Sequence, residues 1–414
     1  MRGAAYLDFA RHERRFAEFT DKMTPQARVQ ASIEILDLII AAARNNGAPA
    51  DRIVSEWFRT RRFAGSGDRR AVREIVYSAI RRCGEVPLSG RAALLTLAKG
   101  DPALASLFDG SAHAPPAIGE GERFARAGTA PRWLEQALAA SGIDAEEAAA
   151  LLGRAPLDLR ANTLKAERET LDLPIEAELT AALNGLRLPH GTQVEQWDAY
   201  QNGLIEVQDT GSQLACEALA AQPGETVIDL CAGAGGKTLA LAATMAGKGT
   251  LLATDTDRGR LQRLPPRAER AGAGGIETLL LNPGRENDVL GDWQNRAHAV
   301  LVDAPCSGTG TWRRNPEARW RLNEGQLERY VATQERLLDL AVKLVRPGGR
   351  LIYVVCSLLD SEGAGQIGGL LSRHHGWRAD PPQLPLGTSR GPGIRLTPLH
   401  DGTDGFFIAR LTRL

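Results

Sequence analysis

The chain has 414 residues, more than one ordinary core accommodates, so two or three domains are expected. Its 43% apolar and 24% charged residues are those of a globular protein and exclude wholesale disorder. Lysine plus arginine equals aspartate plus glutamate, 50 each, so there is no global basic field and any nucleic-acid contact must use local patches.

The opening "MRGAAYLDFARHERRF" has charges where a signal peptide needs an apolar core. The longest early apolar run, "ILDLIIAAA" (35–43), contains Asp37 and is too short to cross a bilayer. A soluble, cytoplasmic protein without a membrane partner is expected. The five cysteines, Cys83, Cys216, Cys231, Cys306 and Cys356, are odd in number, widely spaced and free of any C-x-x-C pair. That argues against a disulfide framework and a zinc cage, and the seven histidines form no metal motif. No metal is expected.

Residues 25–82 read as helices: "ARVQASIEILDLIIAAARNN" (27–46), "PADRIVSEWFRT" (49–60) and "DRRAVREIVYSAIRR" (68–82) repeat apolar residues at helical spacing behind acidic or Pro start signals. Residues 51–82 hold nine arginines against the four carboxylates Asp51, Glu56, Asp68 and Glu74. This is either an RNA-binding face or an ordinary solvated helix surface. A Gly, Ala and Pro rich stretch at about 100–130 reads as loop or linker, "PRWLEQALAASGIDAEEAAALLGRAP" (131–156) as helix, and residues 156–207 as a small α+β unit.

From residue 223 the rhythm changes. The runs "ETVIDLCAG", "GTLLATDTD", "LLLNPG", "HAVLVDAP", "RLIYVVCS" and "DGFFIARLTRL" read as strands. Helical patterns alternate with most of them, one broken by Pro265-Pro266. Near-continuous apolar strands alternating with helices predict an α/β fold whose mostly parallel sheet is covered on both faces.

"VIDLCAGAGGKT" (227–238) puts a glycine-rich turn between a strand and a helix, where backbone N–H groups face a ligand. Despite "GGKT" no glycine opens the G-x-x-x-x-G-K-[ST] phosphate loop, so a triphosphate fits poorly. Asp255 ends the next strand, suited to a ribose, and Asn282 ends the third, facing a base edge. A nucleoside-type ligand such as S-adenosylmethionine fits this set.

Cys306 follows one strand and Cys356 ends the next. Neighbouring strands lie about 4.8 Å apart, so both thiols are expected in one pocket beside the glycine loop. The bland alternative is a pair of buried apolar fillers. A thiol, an acid and a methyl donor together suit methylation at carbon 5 of a pyrimidine. A thiolate adding to carbon 6 makes carbon 5 nucleophilic, an acid at N3 stabilises the adduct, and loss of the carbon-5 proton lets the thiol leave. "TGTWRRNPEARWR" (309–321) adds two tryptophans and four arginines, either a grip on RNA or a packed loop.

Together "DLCAGAGGKT" (229–238), "DAPCSGTG" (303–310) and "YVVCS" (353–357) resemble the RNA (cytosine-5) methyltransferase family of the rRNA methyltransferase B and Nop2/Sun type. "RANTLK" (160–165), "VQDTGSQLACEAL" (207–219), "RRNPEARW" (313–320), "QERLLDLAVKLVRPGGRLIYVVCS" (334–357) and "GTDGFFIARL" (402–411) agree, so the resemblance covers about residues 155–414. Residues 25–82 resemble, more faintly, the helical NusB-like domain of the same branch. The resemblance implies a NusB-like RNA-binding domain over 1–130, linker helices and a small α+β RNA-binding unit over 131–207, and a Rossmann-like class I methyltransferase domain over 208–414.

It implies Cys356 as nucleophile, Cys306 as the residue that releases product, Asp303 as the holder of cytosine through N3, and Lys237 near both cofactor and base. Cys231, Ala232, Gly233, Ala234, Gly235, Gly236, Lys237, Asp255, Arg260, Asn282 and Asp303 fall where the family binds S-adenosylmethionine. The chain departs from the family at Gly233-Ala234, usually Ala-Pro, at Val355, usually Thr, and at Asn282, usually acidic. The implied partner is RNA, foremost 16S (small-subunit) rRNA, and the implied state a monomer. Rival readings are a tRNA cytosine-5 methyltransferase and a non-catalytic RNA-binding ribosome-assembly factor. A DNA methyltransferase would attack from the earlier motif and leave Cys356 without a task.

Overall fold

The structure is a computed structural model that describes residues 23–414. The signal-peptide reading of the opening segment, and the start of the proposed 1–130 domain, lie outside the described residues. The described residues divide into two compact units, one of residues 23–136 with 315–322 and one of residues 137–314 with 323–414.

The first unit is helical. Thr24 caps the Pro25–Arg44 helix, its hydroxyl accepting from Ala27 N at 3.1 Å. Val29, Leu36 and Ile39 of that helix are buried with Val54 and Phe58 of Ala50–Arg59, Val72 and Ile80 of Ser66–Arg82, and Leu94 of Gly90–Ala98. Gly90 permits the closest approach, since a Cβ there would meet Ile33 O at 2.2 Å. Its N–H donates to Asp37 Oδ1 at 2.6 Å, which gives the one carboxylate of "ILDLIIAAA" a partner. The 100–130 stretch is largely irregular yet tied down, with Glu122 paired to Arg91 at 2.6 Å and Thr96 Oγ1 donating to Ala125 O at 3.0 Å.

The second unit opens with a small antiparallel sheet: β1 (Leu157–Ala161), β2 (Glu178–Leu179), β3 (Gly185–Leu188) and β4 (Ile205–Val207), in the order β2-β3-β1-β4. The large sheet follows. Its strands β5 (Thr226–Asp229), β6 (Thr250–Asp255), β7 (Ile276–Leu280), β8 (Ala297–Asp303) and β9 (Val345–Val355) run parallel in the order β9-β8-β5-β6-β7. β13 (Phe406–Arg413) pairs antiparallel with β9, followed by β12 (Gly393–Leu396) and β11 (Thr388–Arg390), while β10 (Trp377–Ala379) pairs with β13.

Alternate strand residues feed two cores. Val227, Leu301 and Ile352 pack with Leu214, Leu239 and Leu264 on one face; Ile228, Val302 and Tyr353 pack with Leu337, Leu338 and Ile367 on the other. This is the doubly covered sheet that the apolar strands predict. Pro265-Pro266 does not merely break a helix. It opens a second one, Leu264–Ala271, where the missing N–H groups of the first turn cost nothing.

Candidate active site

The chain builds β5, β6 and β7 to one side and then returns to lay β8 against the other edge of β5. The crevice at the carboxyl ends of β5 and β8 is therefore the topological switch point, where ligands of open α/β sheets bind. Asp229, Asp255 and Asp303 end β5, β6 and β8, and Val355 ends β9 just before Cys356.

The glycine turn after β5 is held from behind. Asp255 accepts the N–H of Gly233 on Oδ2 and that of Asp257 on Oδ1, both at 2.7 Å. Gly235 has φ of 86°, and a Cβ there would meet Leu264 Cδ1 at 2.1 Å, so glycine is required twice over. The Gly236–Thr244 helix starts at once, and Thr238 Oγ1 donates to Asp229 Oδ2 at 2.7 Å. Asp229 Oδ1 is buried without a partner among the described residues, and burial pushes this carboxyl up to about 7.

Lys237, second in that helix, reaches Asp303 Oδ2 at 2.6 Å. Burial opposes its charge, but the Asp303 carboxylate and the nearby thiols outweigh it and hold the ammonium above its ordinary value. Next to Asp303 the two expected thiols meet: Cys306 Sγ and Cys356 Sγ are 3.4 Å apart. The parallel register that pairs Asp303 with Val354 brings these loops together. Cys306 is held well above the usual thiol range, first by its hydrogen bond to Cys356 and then by burial. Of the other cysteines, Cys83 and Cys216 are buried, and burial pushes both up to about 12. Among the described residues no cluster of His, Cys, Asp or Glu fits a metal ion.

A cavity of about 330 Å³ lies at these strand ends, walled by Cys231, Asp255, Arg260, Asp303, Cys306 and Cys356 with an apolar floor that includes Leu230 and Leu337. A cofactor-sized pocket in which charged groups converge among apolar side chains fits a nucleoside-type ligand. Ala232, Gly233, Ala234, Gly235, Gly236 and Lys237 stand outside these walls. Asn282 is exposed and outside them too. Leu281 and Glu286 line the cavity, and Glu286 pairs with Arg336. Neither Glu286 nor Arg336 stands out in the sequence. Nor does Glu362, buried beneath both thiol loops, although an acidic residue six positions after Cys356 at a strand end is a usable signal.

"TGTWRRNPEARWR" resolves as packing rather than as a grip on RNA. Trp312 is fully buried, Arg313 reaches Asp404 at 3.2 Å, and Arg314 pairs with Asp404 at 2.5 Å and Asp209 at 3.0 Å. Residues 315–322 belong to the first unit. There Arg319 Nη2 donates to Ile80 O at 2.7 Å and Cys83 O at 2.9 Å, and Trp320 Nε1 donates to Cys83 O at 3.0 Å. Both indoles are buried, and all four guanidiniums serve carbonyls or carboxylates of their own unit.

A family profile described as 16S rRNA methyltransferase RsmB/F matches residues 216–412. The ribosomal RNA small subunit methyltransferase B of Xylella fastidiosa is 34% identical over 295 residues, which cover 68% of this chain and 68% of the relative. That of Pectobacterium atrosepticum is 35% identical over 268 residues, 63% of this chain and 60% of the relative. The chain spans 50–60% of the length of several curated relatives it matches. Among solved structures, that of PH0851 covers 94% of this chain and 99% of its own, with a TM-score of 0.74 and 25% identity. The chain belongs to the RsmB/F family of 16S rRNA methyltransferases, which use S-adenosylmethionine on a Rossmann-like fold.

Proposed function

We propose that this chain transfers a methyl group from S-adenosylmethionine to carbon 5 of a cytosine in RNA, specifically in small-subunit rRNA, through a covalent adduct between Cys356 and carbon 6. The observation that carries this reading is the pair of sulfurs 3.4 Å apart at one cavity with Asp303, whose carboxylate is paired with Lys237. The relatives named ribosomal RNA small subunit methyltransferase B support the choice of RNA.

Asp255, Arg260, Asp303 and the Cys231–Gly236 turn would hold the cofactor. When bound, S-adenosylmethionine supplies an electrophilic methyl group. The Cys356 thiolate forms the bond to carbon 6, and the electron pair of the carbon 5–carbon 6 double bond moves into the ring. Asp303 holds the base through N3, and the Asp303–Lys237 pair supplies the proton that N3 takes up. Carbon 5, now nucleophilic, accepts the methyl group. As carbon 5 takes the methyl group, N3 returns its proton to the Asp303–Lys237 pair; Cys306 then passes its thiol proton to the Cys356 sulfur and takes the carbon-5 proton, so the double bond re-forms as the carbon 6–sulfur bond breaks. The helical residues of 1–130 and the small sheet within 131–207 select the RNA, and the target base turns out of its stack to reach the thiols.

The test uses rRNA from cells lacking the gene. Label from S-adenosylmethionine should appear at carbon 5 of cytosine, and absence of label in every RNA pool would sink the reading. Cys306→Ala should accumulate a protein–RNA adduct that survives denaturing electrophoresis. Cys356→Ala should form none, and the reverse pattern would exchange the two roles.

A further inference from the structure

One buried carboxylate ties the two thiol loops together. Glu362 is fully buried and takes four donors. On Oε1 it accepts Ser307 N–H at 2.8 Å and Gln334 Nε2 at 3.0 Å; on Oε2 it accepts Ser357 Oγ at 2.6 Å and, closer still, Ser307 Oγ. Gln334 Nε2 also donates to Pro305 O at 2.9 Å, so its amide orientation is fixed by two acceptors. Tyr353 OH donates to Glu362 O at 2.7 Å and holds the backbone. Among the described residues no lysine, arginine or histidine pairs with this carboxylate, so its charge is met by hydrogen-bond donors alone.

The donors are not scattered. Ser307 directly follows Cys306, and Ser357 directly follows Cys356. We propose that Glu362 is a positioning residue that anchors both thiol loops through this one carboxylate and keeps the negative charge of the thiol pair on Cys356. Two charged groups act on the pair, one on each thiol. The Lys237 ammonium interacts with Cys356, and the Glu362 carboxylate acts on Cys306, adding to the hydrogen bond with Cys356 and the burial that already hold that thiol up. A second anion beside a buried carboxylate is costly, whereas one beside an ammonium is favoured. The inference rests on the proposed assignment of Cys356 as nucleophile, for which the charge must sit there.

Glu362→Gln tests both parts. The amide removes the charge and turns an N–H group toward donors already in place. In RNA-free protein, iodoacetamide labelling resolved by peptide mass spectrometry should favour Cys356 in the wild type. In Glu362→Gln that preference should fall about tenfold, the effect of one pKa unit between the thiols, while Glu362→Asp, which keeps the charge, should retain most of it. A folded Glu362→Gln protein with the wild-type preference overturns the proposal. If that variant does not fold, two milder ones decide. Ser307→Ala should slow product release and accumulate the RNA adduct, while Ser357→Ala should slow adduct formation. Equal slowing of both steps in both variants overturns the proposal. A wild-type protein that labels no RNA, with a Cys306→Ala variant that traps no adduct, would instead overturn the function proposed above, and the labelling preference would still test Glu362.

Discussion

Two stretches of this chain look alike in the sequence and fold in opposite ways. Residues 51–82 carry nine arginines with Trp57, Phe58, Phe63 and Tyr77, and residues 309–321 carry four arginines with Trp312 and Trp320. In the first, helical spacing buries Trp57 and Phe58 and leaves six of the nine arginines exposed and three half-buried. Arg61 stacks over Trp57 at 4.1 Å, and Arg69 and Arg73 lie over Phe58 at 5.7 and 5.8 Å. In the second, short 3₁₀ turns impose no helical period, and the guanidiniums turn inward to carbonyls and carboxylates of distant segments. Arginine suits that task because its five donors form a rigid fork and its charge persists on burial. An arginine run is thus a solvated face where a helix sorts it by period, and an internal clamp where no period does.

The sharpest way to break this comparison is Arg314→Ala. Arg314 neutralises Asp209 and Asp404, whose side chains are nearly inaccessible, and Arg313 helps only Asp404. Removing a partner from such a pair costs about 3 kcal/mol. The loss has a pH signature. Burial and the neighbouring Asp404 already push Asp209 up to about 6, and Arg314 is the charge that restrains it. Without the guanidinium Asp209 rises further, so the folded variant holds a proton that the unfolded chain has released, and stability falls as pH rises through that window. Urea denaturation should therefore show a larger deficit at about pH 8 than at about pH 5. A deficit that grows toward acid would reverse the argument.

Arg319→Ala should come next, at about 2 kcal/mol, because it strips donors from the carbonyls of Ile80 and Cys83 at the end of the Ser66–Arg82 helix. The gain from no longer burying a charge offsets part of the loss, for desolvation already lowers this guanidinium to about 10. The unfolding midpoint of the full chain measures it. A change below about 0.5 kcal/mol would mean that the carbonyls find other donors.

The same contrast explains what the sequence disclosed. The parallel sheet was legible because strands buried on both faces are apolar throughout, and the thiol pair because each cysteine closely follows such a strand, beside Pro305 or Ser357. The fate of 309–321 was not, since no local pattern tells a guanidinium in water from one under a helix end 236–239 residues away in sequence. Asn282 shows the same limit at smaller scale. It sits one or two residues past a strand end, where the chain is no longer held to the strand's alternation, and Leu281 rather than Asn282 faces the cavity. Glu362 was hidden because its four partners come from three separate segments.

The mildest change to the fold should be the most informative about function. Arg52, Arg62, Arg70 and Arg82 are exposed, and no hydrogen bond or salt bridge of their side chains is found among the described residues. Replacing all four by alanine should shift stability by no more than about 0.5 kcal/mol, as for surface sites away from special features. If this face holds RNA, each lost phosphate contact removes a released counterion, and the slope of log affinity against log salt should flatten by about 3 for four contacts to single-stranded RNA. Affinity should fall alike for sequences with and without the target cytosine, because phosphate contacts position without reading bases. Titration of labelled rRNA fragments over a salt series measures both quantities. An unchanged slope with unchanged affinity would make these arginines a solvated surface, and the internal clamp at 313–319 would then differ from them in burial alone.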